Sequence, residues 1–142
     1  MIVEPFRAQH LQTLIAQGVQ SSQLREISHA STFGGVECPL GTSLTARDGN
    51  RIILCGGMIP TAPHMGILWA ALSADAGQRM LWLHRATLRF LDIKPLRRIE
   101  ATVEDGFSAG CRWLELLGFE YEGRMRGYGL DGETHLRYGR IR

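Results

Sequence analysis

The chain has 142 residues, of which 44% are apolar and 21% charged, enough for one domain with a substantial core and too apolar for a disordered or low-complexity segment. No apolar run approaches the roughly 20 residues of a membrane-spanning helix, and the formal net charge of +2 is too small to drive nucleic-acid binding. Three cysteines, Cys38, Cys55 and Cys111, are an odd number at unrelated spacings, which speaks against a disulfide framework. Met1-Ile2-Val3-Glu4-Pro5 lacks the basic start and apolar stretch of a signal peptide, so the expected location is the cytoplasm.

No internal repeat or linker-like stretch interrupts residues 1–142, which read as one domain. Ile2–Phe6 forms a short first strand. Leu11, Leu14, Ile15 and Val19 then recur at helical spacing, with Gly18 at the end. Residues 20–31 read as a second short helix, and Gly34-Gly35, Pro39 and Gly41 as a loop. Asp48-Gly49-Asn50 between Ser43–Arg47 and Arg51–Cys55 is a strong hairpin signal, and Gly56-Gly57 is expected to bend or bulge the second strand. Thr61-Ala62-Pro63-His64 turns the chain into Gly66–Ser73, an apolar run suited to a strand buried on both faces.

The period changes at Gly77. Met80, Leu81, Leu83, Ala86, Leu88 and Leu91 make a wide apolar helical stripe up to Asp92, and Pro95 follows its end. Arg98–Val103 alternates, with Ile99, Ala101 and Val103 on one face. Asp105 is placed to cap a helix running to Leu117, with Phe107, Cys111, Leu114 and Leu117 along one side and Gly118 as its stop. Phe119–Tyr128 and Thr134–Ile141 close the chain as a hairpin around Leu130-Asp131-Gly132. The order β-α-α-β-β-β-α-β-α-β-β implies an α+β, mixed α/β fold: a mostly antiparallel sheet of about seven strands with helices on both faces. The crossover helix makes the fourth and fifth strands a parallel pair.

Fifteen arginines accompany a single lysine, Lys94; residues 1–71 balance four arginines against four acids, and residues 72–142 set eleven arginines and Lys94 against ten acids. A codon bias accounts for this, as does a use for planar, anion-gripping guanidinium groups. The five histidines show no metal-ligand pairing, and neither a Cys-x-x-Cys nor a Walker-type loop is present.

The block Cys111-Arg112-Trp113-Leu114-Glu115-Leu116-Leu117-Gly118-Phe119-Glu120-Tyr121-Glu122-Gly123 resembles the closing block of the GCN5-related N-acetyltransferase superfamily, in which a helix ends in Leu-Gly-Phe and the next strand opens with Glu and an early Gly. Val103, fifteen residues before Gly118, sits where that superfamily's fifth strand ends. Arg126-Gly127-Tyr128-Gly129-Leu130-Asp131-Gly132 is similar to its closing hairpin. Within the superfamily the chain resembles a divergent bacteriophage branch that includes an internal virion protein of T7-like phages. The resemblance implies an acyl-coenzyme A-dependent N-acyltransferase with acetyl-coenzyme A as co-substrate. The pantetheine arm would lie between the fourth and fifth strands, and backbone amides near Leu72 and Ser73 would polarise the thioester carbonyl. The acceptor is an unidentified amine: a protein amine, a polyamine and a modified nucleobase fit equally.

Two departures from the family pattern stand out. The cofactor loop of the superfamily, Gln/Arg-x-x-Gly-x-Gly/Ala, grips pyrophosphate with backbone N–H groups. In Ser73-Ala74-Asp75-Ala76-Gly77-Gln78-Arg79-Met80-Leu81, Ala76 falls on the Gln/Arg position, Arg79 on the first glycine and Leu81 on the last small residue. Asp75 adds a negative charge, which Gly77 and Arg79 partly offset. On the last helix, Leu114 occupies the position of the usual tyrosine acid and Phe107 that of the usual asparagine. Loss of a general acid costs about 10² to 10⁴ in rate.

The resemblance assigns cofactor contacts to Leu72, Ser73, Gly77, Gln78, Arg79 and Phe107. Ser73 equally fits a helix cap. Cys111 is the substitute acid or covalent relay, or simply a small buried hydrophobe. Glu104 is the base for the amine, or a solvated carboxylate at a strand end. The second reading is a non-catalytic virion or assembly protein on the same fold, placed in the host cytoplasm or the virion, with phage proteins or a second copy of itself as partners.

Overall fold

A computed structural model describes residues 1–19 and 43–142; the helix expected at 20–31 and the loop after it lie outside the described residues. The described elements are β1 (Ile2–Pro5), α1 (Ala8–Gln17), β2 (Ser43–Asp48), β3 (Arg51–Ala62), β4 (Met65–Leu72), a 3-10 turn (Ala76–Arg79), α2 (Met80–Asp92), β5 (Arg98–Glu104), α3 (Ser108–Leu116), β6 (Glu120–Met125) and β7 (His135–Ile141). The seven strands form one mixed sheet in the order β1-β2-β3-β4-β5-β7-β6. The fold is α+β. The β4–β5 pair is parallel, Met65 to Ile67 against Arg98 to Glu100, as a helical crossover requires. The chain divides into two compact units, Met1–Ile59 with Trp69–Leu83, and Pro60–Leu68 with His84–Arg142.

In the first unit the Asp48-Gly49 turn joins β2 to β3 as the sequence indicates, with Gly49 at φ +58°. The register irregularity lies at Ala46/Arg47 rather than at Gly56-Gly57, and β3 runs on through both glycines to Ala62. The glycine at 56 answers a different need. A Cβ there would stand 2.7 Å from the Trp69 carbonyl oxygen and 3.2 Å from the Ala70 Cα, so the backbone of β3 approaches the end of β4 as only glycine allows. Leu14, Val19, Ile52, Cys55 and Ala71 form the core here, with Phe6, Leu11 and Trp69 packed against it. Gln17 continues the pairing in place of a strand: its side-chain amide donates to the Ile52 carbonyl at 2.8 Å, and its carbonyl accepts the Ile52 N–H at 3.1 Å.

In the second unit β5 shows the expected alternation, with Ile99, Ala101 and Val103 buried on one face, and pairs antiparallel with β7 from Arg98↔Ile141 to Glu104↔His135. Three expectations need correction. Asp105 does not cap the last helix: Gly106, at φ +93°, turns the chain, α3 starts at Ser108 after Phe107, and the Asp105 carboxylate pairs with Arg124 at 2.9 Å. The stripe over 77–92 opens with the 3-10 turn, and Leu81 is 66% exposed. Nor is β4 buried throughout, since Ile67, Leu68, Trp69 and Ala70 are only half-buried. Gly118 ends α3 as expected, at φ +88°, with the Phe119 N–H returning to the Leu114 carbonyl at 3.0 Å.

Gly56→Ala is expected to cost about 1–3 kcal/mol of unfolding free energy in urea through overpacking against Trp69. Gly77→Ala, whose Cβ would meet nothing within 4 Å, is expected to stay within about 0.5 kcal/mol; equal effects from the two would contradict the close approach at 56.

Candidate functional site

In the first unit the chain leaves β4 through Leu72 and Ser73, both buried. Ser73 is held on three sides. Its N–H donates to the Ile53 carbonyl at 2.9 Å, its carbonyl accepts the Ala76 N–H at 3.1 Å, and Val19 bridges to it antiparallel. Its hydroxyl donates to Asp75, whose own N–H points back at the Ser73 Oγ from 3.4 Å. The hydrogen bond from Ser73, then Arg51 at 3.1 Å, hold the Asp75 carboxyl below the usual carboxylate range. Arg79, at the end of the 3-10 turn, donates from Nε to Asp48 at 2.7 Å. Gly77 and Gln78 are exposed.

Two charge questions are settled by this geometry. The negative charge of Asp75 is balanced by Arg51, a residue the sequence did not single out. The positive charge of Arg79 is balanced by Asp48. Each pair joins residues 24 and 31 positions apart, the Asp75 and Arg79 side at the end of β4 and the other in the β2–β3 hairpin, so no local pattern announces either.

In the second unit Glu104 ends β5, half-buried, with His135 as its cross-strand partner. Backbone bonds tie the next three candidates together: Phe107 N–H to the Glu104 carbonyl at 3.1 Å, and Cys111 N–H to the Phe107 carbonyl at 3.1 Å. The Phe107 ring lies over Gly110, where a Cβ would approach it to 2.8 Å and the Val103 methyl to 2.9 Å. Leu114, which the resemblance sets against that superfamily's tyrosine, is buried. A tyrosine nonetheless reaches this face of α3. Tyr138 of β7, buried and set edge-on to Tyr121 at 5.8 Å, shares a hydrogen bond with Cys111. Burial first, and then that bond, push its phenol up to about 12. Sequence reasoning missed Tyr138 because it lies 27 positions from Cys111 on another element.

Leu72, Ser73, Gly77, Gln78 and Arg79 therefore form one contiguous stretch in the first unit. Glu104, Phe107 and Cys111 form a second cluster in the other. No group of three or more histidine, cysteine or carboxylate side chains among the described residues is arranged to hold a metal ion, and none of their helices is long and apolar enough to cross a membrane.

No protein-family model and no curated protein matches the sequence. Solved structures match it end to end. The IAA acetyltransferase from Bacillus cereus aligns with a TM-score of 0.73 over 99% of both chains at 12% identity. The ribosomal-protein-S18-alanine N-acetyltransferase from Escherichia coli aligns at 0.71, covering 99% of this chain and 92% of its own at 18% identity. An acetyltransferase from Bacillus subtilis in complex with coenzyme A aligns at 0.68, covering 99% and 97% at 11% identity. The chain thus has the fold of the N-acetyltransferases that its closing block resembles.

The two described thiols should differ in reactivity. Cys55 is fully buried, and burial pushes its thiol up to about 11, whereas Cys111 is only half-buried. Iodoacetamide at pH 8 is expected to alkylate Cys111 at least about tenfold faster than Cys55 in the folded protein, as read by peptide mass spectrometry. Equal rates would contradict the burial of Cys55.

Proposed function

We propose that the chain is an acyl-coenzyme A-dependent N-acyltransferase that moves an acetyl group to an amine. The observation that carries this reading is the end-to-end match to acetyltransferase structures, one of them holding coenzyme A. Acetyl-coenzyme A supplies the reactive thioester when bound. Leu72 and Ser73 are assigned to its pantetheine arm. Ser73 already donates its N–H to the Ile53 carbonyl and its hydroxyl to Asp75, so its amide does not polarise the thioester carbonyl as the resemblance implies. The polar contacts with phosphate are assigned to Gly77, Gln78 and Arg79. Gly77 offers open space beside its backbone, and Arg79 has guanidinium nitrogens beyond the Nε that holds Asp48. Phe107 supplies an apolar contact in place of the family's asparagine.

Glu104 takes the proton from the attacking amine as the C–N bond forms. Cys111 gives its proton to the departing thiolate as the C–S bond breaks, and recovers one from solvent. The acceptor amine is left open among a protein amine, a polyamine and a modified nucleobase.

A second reading keeps the fold and discards the chemistry: a virion or assembly protein whose partners are phage proteins or a second copy of itself. It is favoured by Arg79 being held by Asp48 and by Leu114 filling the tyrosine position. The phage connection rests on sequence resemblance alone, and the three matched structures named above are bacterial acetyltransferases.

Thermal unfolding with acetyl-coenzyme A, desulfo-coenzyme A and ATP separates the readings. A ligand at 100 times its dissociation constant adds about 2.7 kcal/mol, a rise of several degrees in a domain of this size. The transferase reading expects that rise with both coenzyme A forms and not with ATP. No rise at millimolar coenzyme A overturns it in favour of the second reading.

A further inference from the structure

A buried polar chain in the first unit serves neither proposed role. The α1 helix begins at Ala8 after Arg7, with no acidic residue in its first turn. Its capping bond comes instead from a histidine. The Arg7 N–H donates to His10 Nδ1 at 3.2 Å, the reciprocal arm of a capping box with an imidazole where Glu or Gln usually stands. The same Nδ1 lies 2.9 Å from the Thr45 hydroxyl of β2, and the Thr45 Oγ1 lies 3.7 Å from the Cys55 thiol of β3. On the other side of the ring, Nε2 is 3.4 Å from the Glu4 carboxylate of β1, which Arg47 of β2 also grips at 2.7 Å. Phe6 stands edge-on to the imidazole, with ring centroids 6.4 Å apart. The His10 side chain is 13% exposed.

These bonds fix the protonation state. A backbone N–H can only donate, so Nδ1 must present its lone pair. The ring is then neutral, with its hydrogen on Nε2 facing Glu4. Thr45, donating to Nδ1, is left to accept from the Cys55 thiol. Protonation would turn Nδ1 into a donor aimed at the Arg7 N–H, and would add a positive charge at a helix N-terminus, where the helix dipole opposes it.

We propose that His10 is a pH-sensitive latch: neutral, it holds the first turn of α1 to β1 and β2, and protonated, it releases that turn. Among the described residues, Glu4, Arg7 and Arg47 are the charged groups around the ring, with Thr45 and Cys55 as the uncharged polar ones. Burial is the largest influence and lowers the His10 pKa from its usual value; Glu4 opposes this, while Arg47 and Arg7 add to it. The unfolded chain therefore takes up the proton first. Stability is unaffected above the ordinary histidine pKa of about 6.5 and falls as the pH drops from there toward the lower value in the folded state. Glu4 is held below the usual carboxylate range by its hydrogen bond from Arg47, so it stays ionised as the latch opens.

Nuclear magnetic resonance on the full chain tests this. The ring ¹⁵N shifts of His10 are followed from pH 8 to 4.5, together with amide exchange at Arg7 and along α1, corrected for intrinsic rates. The latch expects an unprotonated Nδ1 at neutral pH, a midpoint below about 6.5, and a loss of Arg7 protection by about tenfold across that midpoint. In His10→Asn, where the side-chain carbonyl can accept the Arg7 N–H but cannot titrate, protection should be flat over the same range. A protonated Nδ1 at pH 7, a midpoint at or above 6.5, or an equal acid loss of protection in His10→Asn would each overturn the proposal. If the variant does not fold, the wild-type ring shifts and the midpoint of Arg7 protection still decide: the two must coincide.

Discussion

A buried serine whose polar atoms all need partners organises the first unit. At Ser73, β4 ends beside Ile53 of β3 and Val19 at the exit of α1, and the 3-10 turn begins on its carbonyl. An unsatisfied polar group in such a place costs about 1–3 kcal/mol, so each neighbour is constrained to meet it. Gly18, at φ +105°, turns α1 so that its carbonyl accepts the Ala74 N–H at 3.0 Å. Gly56 lets β3 lie close enough for the end of β4 to pack beside it. The stretch that the family resemblance assigns to the cofactor is thus tethered and buried at Leu72 and Ser73, and exposed at Ala74, Asp75, Gly77 and Gln78.

The arginine excess has a structural use. Arg47 pairs with Glu4, Arg51 with Asp75 and Arg79 with Asp48; in the second unit Arg98 holds Glu100 and Glu122, Arg137 also holds Glu100, Arg124 holds Asp105 and Arg140 holds Asp92. Most such pairs at a surface contribute about 0–1 kcal/mol each, and they act more on register than on stability. Arg98 of β5, reaching Glu122 of β6 across β7, spans the three strands whose pairing builds that unit. These pairs give seven of the fifteen arginines a carboxylate partner among the described residues. A phosphate arriving at Arg79 thus competes with a carboxylate already in place.

What the sequence disclosed follows how local the governing physics is. The Asp48-Gly49 turn, the alternation of Ile99, Ala101 and Val103, and the stop at Gly118 are each decided within a few residues, and all three stand in the structure. Asp105 has the chemistry of a cap, but Gly106 turns the chain before a helix can start. Gly56-Gly57 looks like a bulge until the distant Trp69 carbonyl supplies the reason for it. The candidate residues from 72 to 79 and from 104 to 111 were legible as two contiguous blocks. Their partners Arg51, Asp48 and Tyr138 were not, nor was the line from Glu4 through His10 and Thr45 to Cys55, because these join elements far apart in the chain.

The last helix shows how a hydrogen-bonding group expected on one element can be supplied from another. Where the resemblance expects a tyrosine, Leu114 puts a buried apolar side chain. One turn earlier, Cys111 brings a thiol, and β7 brings the Tyr138 hydroxyl to it as a hydrogen-bond partner. A phenol pushed up by burial holds its proton firmly, so Tyr138 is a poor acid in its own right and a dependable hydrogen-bond partner. Under the proposed transferase chemistry, the proton to be transferred would sit on Cys111, with Tyr138 as its hydrogen-bond partner. With Leu114 where the resemblance expects a tyrosine, α3 still meets two hydrogen-bonding side chains, Cys111 from its own sequence and Tyr138 from β7.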